Sequence, residues 1–264
     1  MRRVGILGGM GPEATVLLLQ RILAATPARD DADHIPLIVD QNPQVPSRIR
    51  HLIDGTGDDP GPVLVAMAHR LQGAGAEALA MPCNTAHHYA PAIRAATTIP
   101  LIDMIGLSVA RAEVLAIDTR KVGILASPAI QKIGLFDRAF AAAGLTPVYP
   151  QDPDALLAAI RLIKSGGPGD AARDALSKAS SGLSARGAEV QMIACTEFSL
   201  IAEAVDPGAR VFDTLDQLVD GIIAFATMRG NDRETTPLHP PITRAKVPLS
   251  HPNPRSHPNK ETTR

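Results

Sequence analysis

The sequence is poor in the residues that several functional classes require. Its 264 residues contain no tryptophan and 3% aromatic residues, so a base-stacking surface for nucleic acids is not expected. The 26 basic and 27 acidic side chains lack the basic excess on which nucleic-acid binding depends. Two cysteines do not make a disulfide scaffold, and no C-x-x-C pair points to zinc or redox chemistry. We therefore expect a small-molecule partner and no nucleic acid.

Long apolar runs are also missing. No stretch approaches the ~20 apolar residues that a bilayer-spanning helix needs. After Met1-Arg2-Arg3, glycines interrupt the apolar run too early for a signal peptide, and no small-residue cleavage site follows. The sequence therefore predicts a cytoplasmic protein without a membrane partner.

The residues that are present predict a two-domain α/β protein. Hydrophobic residues make up 45% of the chain, which is enough for a sizeable core, and the length suits two domains at roughly 150 residues each. Short apolar runs such as Val4-Gly5-Ile6-Leu7 alternate with longer helical patterns such as Thr15 to Ala25. This alternation is typical of a parallel sheet covered by helices.

Two motifs occur twice, in the same order. Val122-Gly123-Ile124-Leu125 repeats the segment at 4–7. A Gly-Ala-Glu triplet ending at Glu77 is followed after five residues by Cys83, and one ending at Glu189 is followed likewise by Cys195. The repetition predicts two related α/β halves.

The division into domains follows from the repeat and from a change in composition. We expect a first domain at 1–102 plus 208–229 and a second at 103–207. From Gly230 onward the chain has seven prolines, three histidines and few apolar side chains, so 230–264 is predicted to be a disordered, proline-rich tail. No spacing of the tail histidines supports a metal site.

Both cysteines follow short strands, at the carboxyl ends where parallel α/β proteins place their sites. We expect a following helix to lower the pKa of each thiol. A lone free cysteine is most often a small buried hydrophobe, but two at equivalent positions with polar neighbours favour a reactive pair. If the halves face each other, the sulfurs flank a shared cleft. Two such thiols suit inversion of a carbon, because one removes the α-proton and the other delivers one to the opposite face.

The turn Gly9-Met10-Gly11-Pro12-Glu13-Ala14 superficially matches a dinucleotide-binding fingerprint. Pro12 removes an N–H group that a pyrophosphate would need, and the acidic run at 29–33 resembles a solvated loop more than a strand end. NAD or FAD binding is therefore not expected. We prefer a turn that cradles a substrate carboxylate at a helix N-terminus.

Three segments together resemble a known family. The residues at 5–12, 81–87 and 194–197 are similar to those of the aspartate/glutamate racemase superfamily, closest to its aspartate racemase branch, over about residues 3–228. The resemblance implies two pseudo-symmetric three-layer α/β domains with mainly parallel sheets and an active site in the cleft between them. It also implies amino-acid racemisation without pyridoxal phosphate, other cofactors or metal, and a homodimer.

The resemblance also implies roles for individual residues. Cys83 and Cys195 would be the two acid/base groups. The α-carboxylate of the substrate would be held by Asn84, Thr85 and Thr196, helped by the turn at Gly9, Met10 and Gly11. The basic residues that would contact the substrate's acidic groups are Arg48 and Lys164. From their positions close after the cysteines, and not from the resemblance, we also expect His87 and Glu197 to support the thiols. Simpler roles stay open: a surface charge for Arg48, a helix-dipole partner for Lys164, a buried structural histidine, and a helix cap for Glu197.

One departure leaves the substrate open. The segment containing Ser127 and Pro128 stands where the family usually shows a threonine- and glycine-containing loop, so its contact with substrate is in doubt, and glutamate or a broader panel competes with aspartate. The alternative functions are a related cysteine-dependent isomerase of the maleate or hydantoin type, a non-catalytic carboxylate-binding protein, and a thiol redox protein. The last requires cysteine Cα atoms within about 7 Å.

Overall fold

The computed structural model describes residues 1–228 and contains two parallel β-sheets. The first sheet has the strand order β2-β1-β3. Its strands are β1 (Val4–Gly8), β2 (Leu37–Gln41) and β3 (Ala78–Ala80). A single parallel bridge between Leu79 and Leu101 takes the place of a fourth strand.

The helices of the first half begin mostly at prolines. Pro12 is the first residue of α1 and Pro62 the second of α2, positions where the missing N–H group costs no helical hydrogen bond. The helices are α1 (Pro12–Ala25), α2 (Gly61–Gly73), α3 (Ala90–Ala96) and α4 (Met104–Leu115). Shorter helical turns lie at Asp31–Asp33, Arg50–Asp54 and Thr85–Tyr89.

The second sheet has the order β5-β4-β6-β7. Its strands are β4 (Lys121–Leu125), β5 (Thr146–Val148), β6 (Val190–Ile193) and β7 (Val211–Asp213). The helices around it are α5 (Pro128–Lys132), α6 (Asp137–Ala142), α7 (Pro153–Gly166), α8 (Asp170–Ala185) and α9 (Thr196–Ser199), and a short turn lies at Ala202–Ala204. The last helix, α10 (Thr214–Thr227), packs against the first sheet.

The two halves repeat one arrangement, which confirms the predicted architecture. In each, the strand that carries V-G-I-L is central, with the next strand on one side and the strand before the cysteine on the other. Ile6 and Leu7 are consecutive in β1, and each is fully buried in a different hydrophobic core. Ile124 and Leu125 of β4 are likewise fully buried, one in each of two further cores. Such continuous burial is typical of a parallel sheet covered on both faces.

In each half, the glutamate of the Gly-Ala-Glu motif binds the backbone just before the central strand. The carboxylate of Glu77 accepts the N–H of Arg3 at 2.9 Å. The carboxylate of Glu189 accepts the four N–H groups of residues 117–120 at 2.6–3.2 Å. The backbone N–H of Asp118 and its neighbours lower the pKa of Glu189 to about 2. The repeated glutamates therefore hold the loops that enter β1 and β4.

The segment 208–229, predicted to belong to the first domain, is divided between the two halves. β7 pairs with β6 in the second sheet, whereas Leu215 and Leu218 of α10 pack with Val4 and Ile6 of β1. The assignment of 211–213 to the first domain is therefore wrong, because this short strand continues the second sheet before the helix crosses over. The remaining boundaries stay predictions.

The two ends of the described region lie side by side. The N–H of Arg2 donates to the carbonyl of Ala226 at 2.9 Å, and its guanidinium lies 3.7 Å from the centre of the Phe225 ring. The predicted tail, 230–264, lies outside the described residues. Within residues 1–228, no helix has the length and apolar character to cross a membrane.

Candidate active site

A cavity opens where the carboxyl ends of strands from the two halves meet. It measures about 420 Å³, counting the solvent at its mouth. The first half contributes Met10, Ser47, Arg48, Ile49, Cys83 and Thr85, and the second contributes Ser127, Ile160, Lys164, Cys195 and Glu197. The structure thus brings both predicted cysteines to the wall of one cavity.

The two cysteines are equivalent in position but not in surroundings. Both are free thiols, with 8% of Cys83 and 7% of Cys195 exposed. Cys83 follows β3 and precedes the turn Thr85–Tyr89, while Cys195 is the residue immediately before α9. Within residues 1–228, Cys195 is the only one of the two that makes a hydrogen bond to a carboxylate.

The thiol of Cys195 donates a hydrogen bond to Oε2 of Glu197 at 3.0 Å. Burial raises the pKa of Cys195 well above its ordinary value, and the charge and hydrogen bond of Glu197 raise it further. Lys164 and the N–H of Glu197 oppose this rise. The predicted net lowering of this pKa is therefore wrong: the N–H of Glu197 in the first turn of α9 does lower it, but burial and the adjacent carboxylate outweigh that effect.

Lys164 pairs with the other oxygen of that carboxylate, Oε1 of Glu197. Burial disfavours the charged ammonium of Lys164, but Glu197 and the two cysteines outweigh burial and raise its pKa. The turn of the first half reaches this pair, since a Cβ on Gly11 would lie 3.5 Å from Nζ of Lys164 and 3.8 Å from Oε1 of Glu197. Lys164 thus faces the cavity with its charge already paired.

Arg48 is positioned differently. Its Nη1 donates to the carbonyls of Val45 and Pro46, at 3.3 and 3.0 Å. Its Nε is buried without a hydrogen-bond partner within residues 1–228. An unpaired buried donor is costly, and an oxygen ligand that reached the guanidinium would reduce that cost. Arg48 therefore has donor capacity at the cavity wall that no group within residues 1–228 uses.

Gly9 shapes the turn and is not on the cavity wall. Its φ of +89° lies in the left-handed region, and a Cβ there would come within 2.4 Å of the carbonyl carbon of Asn42. Its N–H donates to Oγ1 of Thr15 at 2.9 Å, so this donor is already used. Of the predicted turn, Met10 lines the cavity directly.

Asn84, Thr196 and His87 are buried but also lie off the wall. The amide of Asn84 donates to Oγ1 of Thr214 at 2.9 Å, and that hydroxyl donates to the carbonyl of Ile193 in β6 at 3.0 Å, so the two bonds together join the halves. Nδ1 of His87 lies 2.9 Å from the carbonyl of Cys83; since a carbonyl only accepts, the proton is on Nδ1. Burial lowers the pKa of His87 although this bond opposes the shift, so the ring is neutral and supports the backbone of Cys83.

Four wall residues were not predicted as contacts. Ser127 aligns with Gly9 at the offset of the V-G-I-L repeat, so the repeat itself could have placed it at the site. Ser47 and Ile49 flank Arg48, and Ile160 lies one helical turn before Lys164 on α7. Within the described residues, no three His, Cys, Asp or Glu side chains are grouped to hold a metal ion.

The model of one protein family matches residues 7–222, most of the chain. Its description is "Asp/Glu/Hydantoin racemase". The chain belongs to this family. Membership confirms the resemblance seen in the sequence, and the family's description implies isomerase-type chemistry.

Individual relatives agree with this assignment. The racemase-family chain is 28% identical over 106 residues to the broad specificity amino-acid racemase RacX of Bacillus subtilis, a match covering 39% of this chain and 45% of that relative. Less than half of that relative's length is therefore matched.

Solved structures share the fold over nearly the whole chain. The aspartate racemase of Picrophilus torridus is 24% identical with a TM-score of 0.76, covering 87% of this chain and 96% of that one. The glutamate racemase of Francisella tularensis in complex with D-glutamate is 17% identical with a TM-score of 0.61, covering 85% and 80%. At these identities the likeness shows the fold, and the substrate must be argued from the site.

Proposed function

We propose that this family member is a cofactor-independent racemase that inverts the α-carbon of an acidic amino acid, with aspartate as first candidate and glutamate next. The observation that carries the proposal is the placement of Cys83 and Cys195, from equivalent strand ends of the two halves, on the wall of one cavity. The names of the related structures, aspartate and glutamate racemases, support the same substrate class.

Racemisation by two bases requires opposed acid and base groups. One thiolate removes the α-proton, and the opposing thiol delivers a proton to the other face of the carbon. Charge then develops on the substrate's carboxylate, where fixed hydrogen-bond donors stabilise it more strongly than in the ground state. Thr85 and Ser127, one from each half, have hydroxyl groups that can serve as such donors at the wall.

Arg48 is the proposed partner of the substrate's side-chain carboxylate. A guanidinium binds carboxylate by two parallel hydrogen bonds, and Arg48 has a buried donor left unpaired. The second candidate is a broader substrate range, as the name of the Bacillus subtilis relative describes. The apolar side chains Met10, Ile49 and Ile160 on the same wall favour it.

The test is loss of the α-proton signal in D₂O, followed by NMR with L- and D-forms of aspartate, glutamate and neutral amino acids, without added pyridoxal. Exchange and inversion of aspartate that disappear in Cys83→Ala and Cys195→Ala are the expected result. Leu162→Ala, at an exposed position on α7, is the matched control and is expected to keep activity. Circular dichroism of each variant shows that the fold is retained.

Other outcomes separate the alternatives. Exchange with neutral amino acids at rates like that of aspartate would favour the broader range. Racemisation at unchanged rates in both cysteine variants would refute the two-base mechanism. A folded protein that exchanges none of these substrates would favour an isomerase of the maleate or hydantoin type or a carboxylate-binding protein.

A further inference from the structure

Arg21 of α1 forms a cluster of contacts that crosses from the first half to the second. Its Nη1 donates to Oδ2 of Asp213 at 2.7 Å and to Oδ1 of Asp216 at 2.8 Å, where β7 ends and α10 begins. Its Nη2 donates at 3.2 Å to the backbone carbonyl of Ser199, the last residue of α9. One guanidinium from a helix of the first half therefore contacts α9, β7 and α10.

Ser199 is held from two directions. Its carbonyl accepts from Arg21, and its hydroxyl donates to Oδ1 of Asp213 at 2.9 Å. The same Oδ1 accepts the N–H of Leu215 at 2.9 Å, so the buried carboxylate of Asp213 has partners on both oxygens. The last residue of α9 is thus fixed through its backbone and through its side chain.

Cys195 lies at the other end of α9, which is a single helical turn. The carbonyl of Cys195 accepts the N–H groups of Phe198 at 2.9 Å and Ser199 at 3.3 Å, so a displacement of Ser199 reaches Cys195 through the backbone. The turn that contains Met10, on the cavity wall, leads into α1. Both helices therefore start at the cavity, and Arg21 joins them at a point farther from it.

We propose that Arg21 is a positioning residue: by joining α9 of the second half to α1 of the first, it fixes the position of Cys195 relative to the cavity wall that the first half supplies. Among residues 1–228, Arg21 is not one that lines the cavity, so its effect reaches the thiol through α9. The consequence for catalysis rests on the proposed racemase function. The effect on the position of Cys195 does not.

The chemistry of the cluster suits this task. A guanidinium holds its donors in a rigid plane, so it fixes the direction of its contacts as well as their length. Burial disfavours the charge of Arg21, but the carboxylates of Asp213 and Asp216 outweigh burial and raise its pKa, so the group stays charged. A displacement of about 1 Å at a reacting group can cost about a hundredfold in rate. Loss of the guanidinium should therefore slow the chemical step more than it weakens substrate binding.

The first experiment measures how fast iodoacetamide alkylates each cysteine of the full-length protein, by mass spectrometry of the two cysteine peptides. In Arg21→Met, α9 loses its connection to α1, and Cys195 is expected to react about tenfold faster while Cys83 keeps its rate. Unfolding of the whole protein would accelerate both cysteines together. Arg70→Met is the matched control: Arg70 donates to Asp40 at 3.0 and 2.7 Å within the first half, and neither cysteine is expected to change.

A double variant separates position from stability. Arg21→Met leaves buried Asp213 without its cation, and adding Asp213→Asn removes that unpaired charge, so Tm should recover in part. The asparagine oxygen can still accept from Ser199 and Leu215, but the connection to α1 stays broken. The double variant is therefore expected to keep the fast alkylation of Cys195 although its Tm rises.

Three results would overturn the proposal. The first is an alkylation rate of Cys195 that does not change in Arg21→Met. The second is an equal acceleration of both cysteines. The third is a double variant in which the rate at Cys195 returns to that of the parent together with Tm, because stability alone would then explain the effect.

Kinetics test the catalytic consequence. Arg21→Met is expected to lower kcat for aspartate by about tenfold or more while KM stays within about threefold. Arg21→Lys, which keeps a charge beside Asp213 but not the planar set of donors, is expected to restore part of kcat. A higher KM with an unchanged kcat would refute the positioning role. Alkylation requires no turnover, so a protein without racemase activity whose Cys195 still responds selectively would contradict the proposed function and support this inference.

Discussion

Replacing Gly9 by alanine tests how the turn after β1 is held. The backbone of Gly9 has φ +89°, which costs an alanine on the order of 1 kcal/mol by itself. The added Cβ would lie 2.4, 2.5 and 2.8 Å from the carbonyl carbon, oxygen and nitrogen of Asn42. These are backbone atoms directly after β2, so the contact cannot be relieved by rotating a side chain.

The structure must therefore move a strand end. The N–H of Asn42 donates to the carbonyl of Gly8 at 3.3 Å, and a shift large enough to admit the methyl group weakens this bond. Backbone strain, steric overlap and the weakened hydrogen bond together give a loss of about 3 kcal/mol in the free energy of unfolding. For a protein of this size that corresponds to a decrease of about 6 to 12 °C in Tm.

Urea unfolding followed by circular dichroism measures this loss, and Gly182→Ala is the matched control. Gly182 lies inside α8, where a Cβ meets nothing within 4 Å, so alanine is expected to stabilise the protein by about 0.5–1 kcal/mol. The same glycine-to-alanine change is therefore expected to lower the free energy of unfolding at position 9 and to raise it at position 182. A Gly9→Ala protein within about 0.5 kcal/mol of the parent would refute the reasoning.

Further predictions concern charge and packing. Glu189→Gln should destabilise the protein at pH 7; because folding lowers this carboxyl's pKa to about 2, the difference from the parent should shrink as urea titrations move from about pH 5 toward pH 2. Arg21→Met should cost about 3 kcal/mol by leaving buried Asp213 without its cation, and adding Asp213→Asn should recover part of this in a double-mutant cycle. Ile163→Ala should cost about 2–5 kcal/mol while its exposed neighbour Leu162→Ala stays within about 0.5 kcal/mol, as measured by thermal unfolding.

Features with a local cause could be predicted from the sequence. A strand buried on both faces reads as a short apolar run wherever it occurs, so V-G-I-L and the strands before the cysteines were recognisable. Because those motifs repeat in order, the equivalent positions of Cys83 and Cys195 followed as well. The expected homodimer and cytoplasmic location have no such local signal in the sequence, and both stay predictions.

Features that depend on distant side chains could not be predicted. Asn84 is 130 residues from its partner Thr214, and Lys164 is 33 residues from Glu197. Pattern alone does not tell whether a lysine in a helix's last turn faces solvent, a ligand or a buried carboxylate. Likewise β7 has three residues and fits either sheet by composition, so its pairing emerges only from the packing of the whole chain.

The contact between Arg2 and α10 has a practical consequence for protein engineering. Arg2 precedes β1, whereas the cavity lies beyond the carboxyl ends of the strands, so the two ends of the described region share the edge of the sheet opposite the cavity. A short linker from Met228 back to Met1 would therefore span a small gap, and a circular permutant opened at an exposed surface loop should keep its ligand-binding face intact.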